Sequence, residues 1–167
     1  MNKYLNKDFN NAVSVLADYY MIKALSEDDF DYWATDDAYS AYQSFAELCE
    51  SMKIVDGRKC FPVYSGNSET SVYATVDDNV RFRFIHDIVH IENNLGFSYE
   101  DEMKVSQIML AEAKEAGLSD LPLAILEAET AGMAKYNKKF KDFPRNQEAF
   151  IHSCVQHGSK IAARVRH

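Results

Sequence analysis

Residues 79–94 read NVRFRFIHDIVHIENN, and their pattern decides the fold class. At about 100° per residue they trace an α-helix. Phe84, Ile88, Ile91 and Leu95 make one apolar stripe, and Phe82, Ile85 and Val89 make a second beside it. Most of the circumference is apolar, so the helix is expected to be central rather than a surface cover. The remaining arc holds Arg83, His86, Asp87, His90, Asn93 and Asn94. A solvated arc normally carries Lys, Glu and Gln. Short and functional side chains here point to a purpose-built polar face.

Working outward, helical spacing predicts a first helix from about Asp8 to Leu25, with Phe9, Val13, Leu16 and Tyr20 inward. Thr35-Asp36-Asp37 is a helix-start pattern, predicting a second helix with Tyr39, Tyr42, Phe45, Cys49 and Met52 as its buried stripe. Residues 56–78 contain Gly57, Pro62 and Gly66, with β-prone pieces at Phe61–Tyr64 and Ser71–Ala74, and predict a small hairpin or ordered loop around residues 60–76. Asp78 or Asn79 is expected to cap the central helix and Gly96 to end it. Ser98 should cap the next, ending at Gly117, and Ser119 or Asp120 the one after. Pro144 opens the last, with Phe150, Cys154 and Ile161 inward. The expectation is a mainly α fold, a single-domain helical bundle over residues 1–167.

Composition agrees. A chain of 167 residues with 47% hydrophobic and 13% aromatic content can bury a core without disulfides. Cys49, Cys60 and Cys154 match no zinc or redox spacing, and reduced thiols in a cytoplasmic setting are expected. The first residues, Met-Asn-Lys-Tyr-Leu-Asn-Lys-Asp, lack the apolar stretch of a signal peptide, and no apolar run reaches the about 20 residues that cross a bilayer. The formal charge of -8 argues against nucleic-acid binding. The basic run Lys135, Lys138, Lys139 and Lys141, and the pair Arg164 and Arg166, read as solvated faces.

His86 and His90 stand four apart, so both project from one face of the helix at a spacing that can serve a single metal ion. Arg83 can reach Asp87 at i+4 or hold a substrate anion. Two further helices supply carboxylates. Glu102 falls on the apolar face formed by Val105, Met109 and Ala113, and Glu129 on the face formed by Ile125, Leu126 and Met133. A carboxylate on such a face must protonate, pair with a cation or bind a metal. Bundles build metal sites from inward carboxylates and imidazoles on facing helices. The plainer alternative is a satisfied structural network, with Glu129 on Arg83 and Glu102 on a histidine.

Several separated blocks resemble a family of small proteins encoded by tailed bacteriophages. They are Phe61-Pro62-Val63-Tyr64-Ser65-Gly66, then Arg83-Phe84-Ile85-His86-Asp87-Ile88-Val89-His90, then Gly96-Phe97-Ser98 with Glu102. Ala128-Glu129-Thr130-Ala131-Gly132 and Phe143-Pro144-Arg145-Asn146-Gln147-Glu148-Ala149-Phe150 complete the set. The resemblance spans Phe61 to Phe150 and implies phage origin, in the host cytoplasm, without a particular chemistry. The chain departs at Met133, where the family pattern has glutamine; if that glutamine matters in the family, this chain lacks a polar contact.

The resulting expectation is a divalent-metal-dependent hydrolase acting on a small molecule. Its metal ligands are His86, His90, Glu102 and Glu129, with Asp87 and Arg83 in catalytic roles. Mixed imidazole and carboxylate donors suit Zn, Mn or Fe. The alternative is a non-enzymatic phage accessory protein that binds and inhibits a host protein, its acidic surface meeting a basic site. His86-Asp87 resembles the pair of the HD phosphohydrolases, but no histidine precedes His86 to serve as their upstream ligand. Glu112 and Glu115 match half of the MazG-type pyrophosphohydrolase pattern, and its partner motif is missing. No phosphate loop, nucleophile elbow or dinucleotide fingerprint marks a substrate.

Overall fold

Thr75, extended at φ -128°, accepts a hydrogen bond from the Asp78 amide and starts the central helix one turn earlier than Asn79. In chain order the computed structural model places α1 at Lys3–Leu25, β1 at Phe30–Thr35, α2 at Phe45–Ser51, β2 at Lys53–Val55 and β3 at Arg58–Tyr64. Then follow α3 at Val76–Glu92, α4 at Tyr99–Glu115, α5 at Asp120–Glu127, a π-helical turn at Ala128–Gly132, α6 at Met133–Phe140 and α7 at Gln147–His157. The structure describes residues 3–37 and 43–158, with side chains from Lys7 onward. Tyr39, Tyr42, Ile161, Arg164 and Arg166 lie outside the described residues. The fold is mainly α with one small sheet, and the chain gathers into two compact units.

One unit takes residues up to Leu16, Thr70–Val72 and residues from Ser98 onward. It is helical. Ser98 caps α4 by accepting from the Asp101 amide, and Asn146, not Pro144, caps α7 by accepting from Ala149. Val105, Met109, Ile125, Leu126, Tyr136, Phe150 and Ile151 are buried in it. The Tyr136 and Phe150 rings meet edge to face, with centroids 5.1 Å apart, in the geometry their quadrupoles favour.

The other unit takes Ala17–Glu69 and Tyr73–Phe97. Its sheet has the order β1-β3-β2, with β1 parallel and β2 antiparallel to β3. Phe61 and Phe84 lie 5.5 Å apart, and Tyr32 and Phe84 4.5 Å apart, so an aromatic cluster ties α3 to the sheet. Phe61 and Phe84 are fully buried; truncating either to Ala removes about 3–5 kcal/mol.

Three sequence expectations change here. The helix-start pattern at Thr35 is the end of β1, and α2 begins at the Ser44 cap. The strand expected at Ser71–Ala74 is irregular, and the hairpin partner of β3 is β2. The turn between them is Asp56-Gly57, with φ 50° and 84°, the paired left-handed conformation that matches strand twist. Pro62 lies in the central strand. The Lys59 and Ser65 amides donate toward β1, so the nitrogen of even-numbered Pro62 faces the β2 side, where pairing has ended at Cys60. The missing N–H costs no ladder bond there.

Cys49, Cys60 and Cys154 are free thiols, as the sequence implies. Burial pushes the Cys154 thiol up to about 12, with Lys135 opposing and Glu127 adding to the shift. Alkylation of the native protein at pH 8 should therefore spare Cys154 and label half-buried Cys49 first, whereas all three react in denaturant. Peptide mass mapping reads both results. A second check concerns the turn. A Cβ at Gly57 meets nothing within 4 Å, so Gly57→Ala costs only the left-handed backbone, about 1–2 kcal/mol in urea unfolding.

Candidate metal centre

His86 and Asp87 are adjacent on α3, and His90 lies one turn further on, as the helical spacing predicts. The His86 and His90 ring centroids are 4.6 Å apart with planes at 66°. His90 has no exposed surface, Asp87 is buried and His86 is partly exposed. Asp87 Oδ1 lies 3.6 Å from His86 Nδ1, within ion-pair range of a protonated ring but beyond a hydrogen bond. Phe97 meets the His90 ring edge-on at 4.9 Å, and Phe82 lies 6.1 Å from the His86 ring. The imidazoles thus sit in an aromatic row.

What orients His90 is the end of its own helix. Gly96 does not end α3; Asn93 does, as its C-cap, with Asn94 next at φ 49°. The Leu95 amide donates to the His90 carbonyl at 2.9 Å, and the Asn94 amide to the Ile91 carbonyl at 3.2 Å. That pair of bonds is the Schellman arrangement, with asparagine where glycine is commonest. It brings the Leu95 carbonyl to 3.1 Å from His90 Nδ1. A carbonyl only accepts, so Nδ1 carries a proton, and a metal could meet the ring only through Nε2. A donor nitrogen fixed in this way is the usual preparation of a histidine ligand.

Arg83, one turn earlier on α3, donates from Nη1 to the carbonyls of Tyr64 and Gly66, and its guanidinium lies 5.5 Å from the Tyr64 ring centroid. It pins the loop that follows β3. Buried Asn79 secures the same loop, donating to Ser68 Oγ at 2.9 Å.

Glu102 and Glu129 belong to the helical unit, each described within it. Glu102 is half-buried in the first turn of α4, beside Glu100 and Asp101. Glu129 is buried inside the π-helical turn, whose five residues are all buried. Thr130 Oγ1 donates to the Leu126 carbonyl at 2.8 Å and lies 2.7 Å from Ser106 Oγ. The threonine proton is spent on Leu126, so Ser106 is the donor in the second bond. The chain of bonds ties α4 to the π turn and fixes the backbone from which Glu129 projects. Turns of this kind widen the helix and shift its phase, often at functional sites. A wheel drawn at uniform pitch misses this. The sequence signal is a run of small residues around one carboxylate, Ala128-Glu129-Thr130-Ala131-Gly132.

No family model matches the chain, and no curated protein or solved structure matches it.

The π turn gives a direct test. Thr130→Val keeps the shape but leaves buried Ser106 without its acceptor and removes the bond to Leu126. Unfolding should show a loss of about 1–3 kcal/mol, against a much smaller change for the double variant Ser106→Ala with Thr130→Val.

Proposed function

We propose that this protein binds one divalent cation through His86 and His90 and uses it for hydrolysis. The observation that carries the reading is the imidazole pair on α3, with the His90 tautomer set by the Leu95 carbonyl. Glu102, expected as a ligand from the sequence, would complete a set of two imidazoles and one carboxylate. Three protein donors leave a coordination position for water, as catalytic sites require. Glu129, also expected as a ligand from the sequence, is the candidate for a second carboxylate. Mixed nitrogen and oxygen donors favour Zn, Mn or Fe.

A bound cation would lower the pKa of its water to about 7 and so supply a nucleophile. Asp87, beside His86, orients that imidazole or accepts the proton of the attacking water. Arg83, one turn along the helix, offers positive charge to an anionic substrate. Phage origin, supported by the sequence resemblance, places the activity in the host cytoplasm. Among the described residues no helix is long and apolar enough to cross a membrane.

A second reading, a non-enzymatic protein that inhibits a host protein, draws support from the sheet. Among the described residues β1 and β2 are both edge strands, and they expose Trp33, Ile54 and Val55. Exposed apolar edges favour pairing with another chain.

Elemental analysis after metal-free purification and re-addition distinguishes the two. The hydrolase reading expects near-stoichiometric Zn, Mn or Fe, and loss of at least about two powers of ten in affinity for His90→Ala, in line with removal of a ligand rather than its support. Glu102→Gln should weaken binding in the same direction with little effect on unfolding. Absence of bound metal, with host proteins retained on the immobilised protein, would favour the inhibitor.

A further inference from the structure

We propose that Asn94 is a positioning residue for His90, acting through backbone conformation rather than through its own side chain. The inference rests on reading His90 as a cation ligand and adds how that ligand is prepared.

A helix that simply frays after Glu92 would leave the Leu95 carbonyl far from the His90 ring. Asn94 prevents this by taking φ 49°, the left-handed conformation that turns the chain back over the last helical turn. Two bonds then link the same two residues in opposite directions. The Leu95 amide donates to the His90 carbonyl at 2.9 Å, and His90 Nδ1 donates to the Leu95 carbonyl at 3.1 Å. The first exists only if the reversal occurs, and the second only if the first holds Leu95 in place. Ring orientation and tautomer of His90 therefore depend on one backbone dihedral four residues away. Phe97, which meets the His90 ring at 4.9 Å and 86°, follows the same reversal.

Asparagine and glycine tolerate this conformation, and β-branched residues do not. Asn94→Gly should therefore preserve the clasp, and Asn94→Val should open it. A role for the Asn94 amide group would give the opposite pattern, with Gly as harmful as Val.

The test is a long-range proton–nitrogen correlation spectrum of the imidazoles in the metal-free, nitrogen-labelled protein, paired with a zinc titration. In the unsubstituted protein His90 should be protonated at Nδ1, with zinc shifting the Nε2 resonance. Asn94→Gly should leave both results unchanged. Asn94→Val should give mixed tautomers and bind zinc about 10–100-fold more weakly, the usual cost of losing a ligand's supporting contact. Protonation at Nε2 in the unsubstituted protein overturns the proposal. So does Asn94→Val with tautomer and affinity intact, or Asn94→Gly as weak as Asn94→Val. If Asn94→Val fails to fold, the unsubstituted and Asn94→Gly spectra still decide. Should zinc bind none of the proteins while Asn94→Val scrambles the tautomer, the cation reading falls and the positioning of His90 by Asn94 stands.

Discussion

The reciprocal pair of hydrogen bonds between His90 and Leu95 is the constraint on which the candidate centre depends. His90 is fully buried, so its ring nitrogens exchange little with water and must find partners in the protein. A backbone carbonyl is an acceptor at every pH. Placing one at Nδ1 holds a proton on that nitrogen and reserves Nε2 as the only nitrogen that could meet a metal. The aromatic rings of Phe97 and Phe82 limit where the two imidazoles can turn. In energy terms this is preorganisation: the rotamer and tautomer cost is met during folding, not during binding.

The same division of labour recurs in the helical unit. The Ser106–Thr130–Leu126 chain satisfies every hydroxyl proton it contains and holds the π-helical turn in which Glu129 is buried. A widened turn is less favourable than regular α-helix, so it persists where surrounding packing over-determines it. Burial of all five of its residues supplies that packing. Both units therefore present polar side chains from backbone that is locked by local hydrogen bonds: α3 through its C-terminal reversal, and the π turn through a threonine bonded back to the preceding helix.

Much of this is legible in the sequence, and the failures have physical causes. The α3 stripes and the His86, Asp87, His90 face are readable because helical periodicity is local and strong. The cap at Ser98 and the burial of Glu129 follow from the same logic. β1 is not readable, because its pairing with β3 is parallel and joins Phe30 to Lys59 across a long separation, leaving only a short unremarkable pattern locally. Asp56-Gly57 is a readable hairpin signal, masked by Pro62 and Gly66 further on, which are stronger breakers. Asn94-Leu95 after an apolar helix is likewise a readable reversal, hidden behind Gly96, the more familiar stop. The π turn has no periodic signal at all, since its defining feature is a break in period.

Cobalt substitution probes the centre itself, because the visible absorption of Co(II) reports both the type and the number of its ligands. The metal-free protein should take up one equivalent with the intense bands of a low-coordinate site holding imidazole donors. Those bands should collapse in His86→Ala and in His90→Ala while both variants remain folded. Weak bands of hexa-aquo cobalt in the unsubstituted protein, or an unchanged spectrum in the two histidine variants, would contradict the proposed centre.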